Sequence, residues 1–207
     1  MDLTKRQIIW GIILFGTLIG FNETVIGSFN IQYKSVILSA ITLSLFSYAR
    51  YFIPRIGTSL LIMAVALIFK LTDLGIQFCK PVMLILLGIG FEVFASIFIN
   101  KKQFKFLGLI LTCVLSSIVI FTGFALFETY IAKNAYWISE KFNDYVFVKA
   151  PLTAIASTLL SVLGIFVIKR IDSTLISSLF KKPALSQLVL GLLIAVLWIV
   201  GYGTMQY

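Results

Sequence analysis

Beyond Gln7 the chain is a succession of long apolar runs separated by short polar breaks. Runs of this length match the roughly 20 apolar residues that carry a helix across a bilayer, so the pattern predicts helices over 7–29, 33–53, 55–72, 79–100, 104–130, 150–169 and 186–205. The second run is strongly apolar only around Ser35 to Ala49, and the third ends at Lys70 and Asp73; both are expected to be short or tilted. The expected fold class is all-α: a polytopic transmembrane helical bundle of seven helices, alternatively six if the second segment does not cross. It forms one integral membrane domain over 1–207.

Composition agrees. The chain is 60% hydrophobic and 12% charged, with a mean hydropathy of +1.06, too apolar for a soluble domain to cover its own surface. Seven crossings use up nearly all of its 207 residues, leaving no room for a soluble catalytic domain. MDLTKRQ leads directly into an apolar run with no A-x-A-like site after a short h-region, so a retained first helix is expected rather than a cleaved signal.

Charge orients the bundle. With the N-terminus inside and seven crossings, eleven Lys and Arg fall on inner connections (among them Lys5, Arg6, Arg50, Arg55, Lys101, Lys102 and Lys105) against six outside. Cytoplasmic loops carry that excess, so the N-terminus is expected in the cytoplasm and the C-terminus outside, most simply in a bacterial inner membrane. The net charge of +9 is spread as short clusters at helix ends, which suits anionic headgroups and not nucleic acid.

Candidate chemistry is sparse. With no histidine in the chain, histidine-ligated haem, His-based zinc sites and Ser-His hydrolysis are excluded. Cys79 and Cys113 lack C-x-x-C spacing, so no metal site and no cofactor is expected. A lipid-modifying enzyme would call for a D-x-x-x-D pair, a nucleophile with a base or a metal cluster, and none is present; no enzyme activity is expected.

What remains are polar residues where the bilayer makes them costly. Glu92 lies in PVMLILLGIGFEVFASIFIN near mid-membrane, and Gly88, Glu92, Ser96 and Asn100 share one helix face by i, i+4 spacing. That face is expected to look into the bundle, either as helix glue or as part of a solute pocket. In GIILFGTLIGFNETVIGSFN, the 14 residues from Ile8 to Phe21 rise about 21 Å, which places Asn22, Glu23 and Thr24 in the outer third. Either the helix continues there into a tight connection, or it breaks around Gly20, Gly27 and Ser28 to line a pocket. Lys34 and Lys70 are the available counter-charges. AYWISEKFNDYVFV, residues 135–148, reads as an interfacial helix or a lid over the outer mouth, bringing Tyr136 and Trp137 to the candidate pocket. Gly16 and Gly20 form G-x-x-x-G, and Thr153, Ser157 and Ser161 repeat at i+4, the small-residue pattern of close helix packing.

Tyr51 to Leu71, YFIPRIGTSLLIMAVALIFKL, resembles a segment of the substrate-specific components of energy-coupling factor transporters, in which a Pro and a Gly followed by small residues open a membrane helix. That resemblance implies a small hydrophobic protein that binds a solute from outside and docks, through small residues of its first helix, onto a coupling subunit driven by a pair of ATPases. Here the docking residues would be Gly16 and Gly20, where the family usually has alanines, and the family typically has six helices. The functional expectation is therefore a transport component that binds a small solute through Asn22, Glu23, Glu92, Ser96, Tyr136 and Trp137. The alternative is a noncatalytic membrane subunit or assembly factor of a larger complex. On the first expectation Glu92→Gln abolishes uptake at normal membrane levels.

Overall fold

The computed structural model describes residues 4–29, 31–71, 79–99, 106–132, 139–170 and 183–204, and all of its regular structure is helical. Seven helices account for it: α1 Lys5–Phe21, α2 Lys34–Phe52, α3 Thr58–Leu71, α4 Cys79–Phe98, α5 Phe106–Leu126, α6 Ala150–Arg170 and α7 Pro183–Thr204. Five of the helical spans are long and apolar enough to cross a membrane. Thr4 starts α1 with a capping box: its hydroxyl accepts from the Gln7 amide at 3.3 Å while the Gln7 side chain accepts from the Thr4 amide at 2.9 Å.

Three helices are prolonged by wider π-helical turns. α1 runs on through Asn22–Ile26, α5 through Phe127–Ile131, and α6 is entered through Ser139–Asn143 and the π-helical Asp144–Lys149. The first helix therefore continues past Asn22 and does not break. The latter part of the aromatic stretch expected as an interfacial helix or a lid is a helical lead into α6, giving one continuous span of 30 residues from Lys141 to Arg170.

The second segment, weak by hydropathy, is a full helix of 19 residues. Its polar content has a packing reason. Ser39, Thr42, Ser44 and Ser47 are buried against other helices, so they never meet lipid. The third is short, as expected, at 14 residues.

α1 packs on α3, α3 on α4, α4 on α5, α5 on α6 and α6 on α2, which closes back onto α1 and also touches α3 and α4. α7 lies outside this ring against α1. Gly16 meets Ile62 and Val65, and Gly20 meets Phe69, so α1 and α3 run parallel. Gly191 meets Trp10, and Trp198 Nε1 donates to Thr17 Oγ1 at 3.3 Å, so α7 also runs parallel to α1. The start of α1 and the end of α7 thus lie at opposite ends of the bundle, as an odd number of crossings demands.

The core is apolar at its centre, where Ile19, Leu43, Phe46, Ile62, Leu87 and Phe91 meet and the Phe46 and Phe91 rings lie 5.5 Å apart. The periphery is equally apolar. On α6, Ile155, Leu159 and Leu163 point outward while Thr153, Ser157 and Ser161 are buried, the reverse of a soluble helix and the arrangement that hydrocarbon solvent selects.

Candidate functional site

Two polar centres lie toward opposite ends of the bundle, with a hydroxyl-rich seam between α2, α5 and α6. The first is built where α2 hands over to α3. α2 ends at Phe52, and the connection turns through Arg55, whose amide donates to the Ile53 carbonyl at 2.8 Å, and through Gly57 at φ +86°. A left-handed backbone favours glycine, and nothing lies within 4 Å of the place a Cβ would occupy. Gly57→Ala is thus expected to cost about 1–2 kcal/mol through backbone strain alone, with no packing component; a melting point unchanged from wild type would contradict it.

The Glu92 carboxylate reaches this turn from α4. Its Oε1 accepts from the Gly57 amide at 2.7 Å, from Ser96 Oγ at 3.1 Å and from Arg50 Nη1 at 3.3 Å, while Oε2 accepts from the Ser59 amide at 3.0 Å. The Arg50 guanidinium is buried and also donates to the Arg55 carbonyl, which accepts from Thr58 Oγ1 at 2.7 Å as well. Glu92 therefore does for α3 what an N-cap side chain does, from a different helix, and the positive end of the α3 dipole adds to the attraction.

This cap explains the short third helix. Six residues of α4 follow Glu92 before its end at Phe98, so α3 begins about 9 Å inside the end of α4. Backbone at that depth must be satisfied within protein, and Glu92 and Arg50 satisfy it.

Of the two roles open to Glu92, the arrangement is that of helix glue. Its carboxylate has four donors, and its face looks at α3, since a Cβ on Gly88 would lie 2.8 Å from Met63. Its counter-ion is Arg50, not Lys34 or Lys70. Lys34 Nζ instead donates to the Gly27 carbonyl at 2.8 Å, tying α1 to α2. Ser96 belongs to the same cluster. Glu92 is level with Ser59, about 14 Å along the bundle from Asn22, so these two expected pocket residues do not meet. Tyr136, Trp137 and Asn100 lie outside the described residues.

The seam is structural. Ser161 Oγ donates to Ser47 Oγ at 3.2 Å, Cys113 Sγ sits 3.7 and 3.6 Å from the two hydroxyls, and Ser44 Oγ reaches the Ser157 carbonyl at 3.4 Å. Tyr48 donates to the Leu160 carbonyl beside Gly164, where any Cβ would collide with the phenol. The packing stripe expected at Thr153, Ser157 and Ser161 is this contact.

The second centre is at the far end, where α1 and α5, which are not neighbours in the ring, finish and α6 begins. Asn22 is buried; its Nδ2 donates to the Leu38 carbonyl at 3.2 Å and to Thr42 Oγ1 at 3.3 Å. Because the Leu38 carbonyl only accepts, the amide orientation is fixed, and Asn22 Oδ1 is left without a partner among the described residues. Thr24 is spent on its own helix, donating to the Gly20 carbonyl at 3.0 Å, and Glu23 is only half-buried.

Glu128, in the π-helical turn ending α5, is 2% exposed, and its Oε1 also has no partner among the described residues. Glu128 is not among the site residues expected from the sequence. The signal was there: Ser117, Phe121, Phe124 and Glu128 follow 4-3-4 spacing within one apolar run, which places the acid on the buried face of α5. One and two turns earlier on α5, Phe124 and Phe121 pack on the Tyr145 ring, and Lys149 pairs with Asp144 at 2.9 Å while lying over that ring. Thr153 and Thr158 also hold hydroxyls without a partner among the described residues. A hydroxyl turns readily toward a carbonyl of its own helix, whereas an amide oxygen and a carboxylate oxygen do not.

The fold and its polar interior define a multi-pass helical membrane protein. Comparison of the chain with protein-family models, with curated proteins and with solved structures returns no match.

Proposed function

We propose that this protein is the solute-binding component of a membrane transport system, with its site at the end of the bundle formed by the last turns of α1 and α5. The observation that carries this reading is the pair of buried acceptors, Asn22 Oδ1 and Glu128 Oε1, left unpaired among the described residues while Glu92 is fully satisfied. Each such group costs about 1–3 kcal/mol when nothing donates to it, a cost that a bound ligand removes. Both lie in π-helical turns, which recur at functional sites. The excess of basic residues at the other end makes this end the outer one, in a bacterial inner membrane with the N-terminus in the cytoplasm.

The sequence carries no phosphate-binding loop, so the energy comes from partner subunits or an ion gradient. The likeness of Tyr51 to Leu71 to substrate-specific components of energy-coupling factor transporters favours partners: a membrane coupling subunit and its ATPases. The second reading, a noncatalytic subunit or assembly factor, draws on Glu92 and the serine seam, both of which serve packing.

Native mass spectrometry of the chain, extracted in mild detergent from its own membrane, separates the two. We expect a co-purifying small molecule that disappears in Asn22→Leu, with the melting temperature changed by only a few degrees. A wild-type protein carrying only lipid, or an adduct indifferent to Asn22→Leu, would favour the packing reading and remove this one.

A further inference from the structure

At the opposite end of the bundle, where α5 begins and α6 ends, the two helices leave a groove of about 390 Å³. Phe106 of α5 and Val162, Leu163 and Phe166 of α6 line it, and Leu163 and Phe166 are exposed, so it opens outward. These four side chains carry no polar atom, so nothing in the groove can orient a water-borne solute. From Arg170 back to Val162 the helix runs about 12 Å, which takes the groove from the helix end into the hydrocarbon.

Its mouth is basic. Lys169 Nζ lies 4.6 Å from the centre of the Phe106 ring and 5.9 Å from that of Tyr51, and the Arg170 guanidinium lies 5.3 Å from the centre of Phe166. Each cation thus rests on a ring that walls the groove, within the roughly 6 Å over which ring faces hold cations. Both side chains are exposed, and among the described residues no carboxylate pairs with either. In sequence, Lys101, Lys102 and Lys105 lead into α5, and the single acid in 100–106 and 169–172 is Asp172.

These two features restrict the ligand. A soluble anion would meet the cations and leave the groove empty. A zwitterionic lipid would fill the groove but carry its own cation to a basic mouth. A lipid with an apolar tail and a net negative headgroup suits both ends at once. We propose that the α5/α6 groove holds an acyl chain of one anionic phospholipid, whose phosphate is bound by Lys169 and Arg170. The site is independent of the solute site, which lies at the other end.

The test is native mass spectrometry of the full chain with phosphatidylglycerol or phosphatidylcholine of identical acyl chains. One phosphatidylglycerol is expected to be retained about tenfold more tightly, a preference within reach of two cations near the membrane surface. Lys169→Gln combined with Arg170→Gln should bring the two lipids to parity, Leu163→Trp, which crowds the groove, should weaken both, and Asn22→Leu should change neither. Equal retention by the wild-type protein, or a preference that survives the double variant, would overturn the proposal. A second measurement needs no variant: phosphatidylglycerol with a diazirine in its acyl chain should label Phe106 and residues 162–166, and unlabelled phosphatidylglycerol, not phosphatidylcholine, should displace it. Even labelling along α6 and α7 would mean an ordinary lipid annulus, and protection by a co-purified membrane subunit instead of the lipid would give the groove to a protein; either result overturns the assignment.

Discussion

Replacing Glu92 with leucine is expected to destabilise the protein by roughly 3–5 kcal/mol, the cost typical of removing one partner of a buried ion pair. The loss has two parts. Arg50, 2% exposed, is left as a buried cation with, among the described residues, only the Arg55 carbonyl to meet, and the Gly57 and Ser59 amides at the start of α3 lose their acceptor. Unfolding by SDS titration in mixed micelles measures the difference. Arg50→Leu combined with Glu92→Leu should recover part of it, because the uncompensated charge disappears; the uncapped amides remain, so recovery should stop short of wild type. Glu92→Gln falls between the two, keeping one acceptor oxygen for the amides while abandoning the guanidinium. Single variants within about 1 kcal/mol of wild type would mean that the cluster is a surface-like pair of little consequence. This outcome differs from the one the sequence alone suggests, in which Glu92→Gln removes uptake at normal membrane levels. With the carboxylate closed in by four donors, stability and membrane level are expected to fall together.

The divergence shows which parts of the molecule a single sequence makes readable. Seven apolar runs gave seven helices because hydrocarbon imposes a length and a composition on each crossing, independent of neighbours. Small-residue spacing at Thr153, Ser157 and Ser161 was equally readable, since a face that repeats every four residues has to meet something close. The partner of Glu92 was not. Arg50 is 42 residues away, and the pairing depends on the α2–α3 connection dipping into the bundle, where Gly57 turns the chain and Glu92 caps α3. The π-helical turns were hidden for a different reason: one extra residue per turn leaves the apolar pattern of α1 and α5 almost unaltered while rotating the side chains beyond the turn. Glu23, the acid that the NET triplet brought forward, is half-buried, whereas its neighbour Asn22 faces α2.

Gly16 bears on how the chain would meet a partner. A Cβ there would lie 2.5 Å from Val65 Cβ and 2.9 Å from the Ile62 carbonyl oxygen, and one on Gly20 would lie 2.6 Å from Phe69 Cβ. Both glycines are buried, so the G-x-x-x-G face is spent on α3 within the chain and is not presented outward. Gly16→Ala and Gly20→Ala are each expected to cost about 1–3 kcal/mol by forcing α1 and α3 apart. Two compensating changes distinguish this from a docking role. Val65→Ala keeps the offending Cβ and should rescue Gly16→Ala little, whereas Val65→Gly removes it and should restore part of the lost stability, less the roughly 1 kcal/mol that a helical glycine costs. The same SDS titration reads all four proteins. Should Gly16→Ala instead leave stability intact while the tagged chain no longer captures membrane partners from its own membrane, the first helix would be a docking surface after all. On the packing result, a coupling subunit has to use another face, and the outward apolar rows of α6 and α7, from Ile155 to Leu163 and from Leu192 to Ile199, are the surfaces on which to place crosslinking probes.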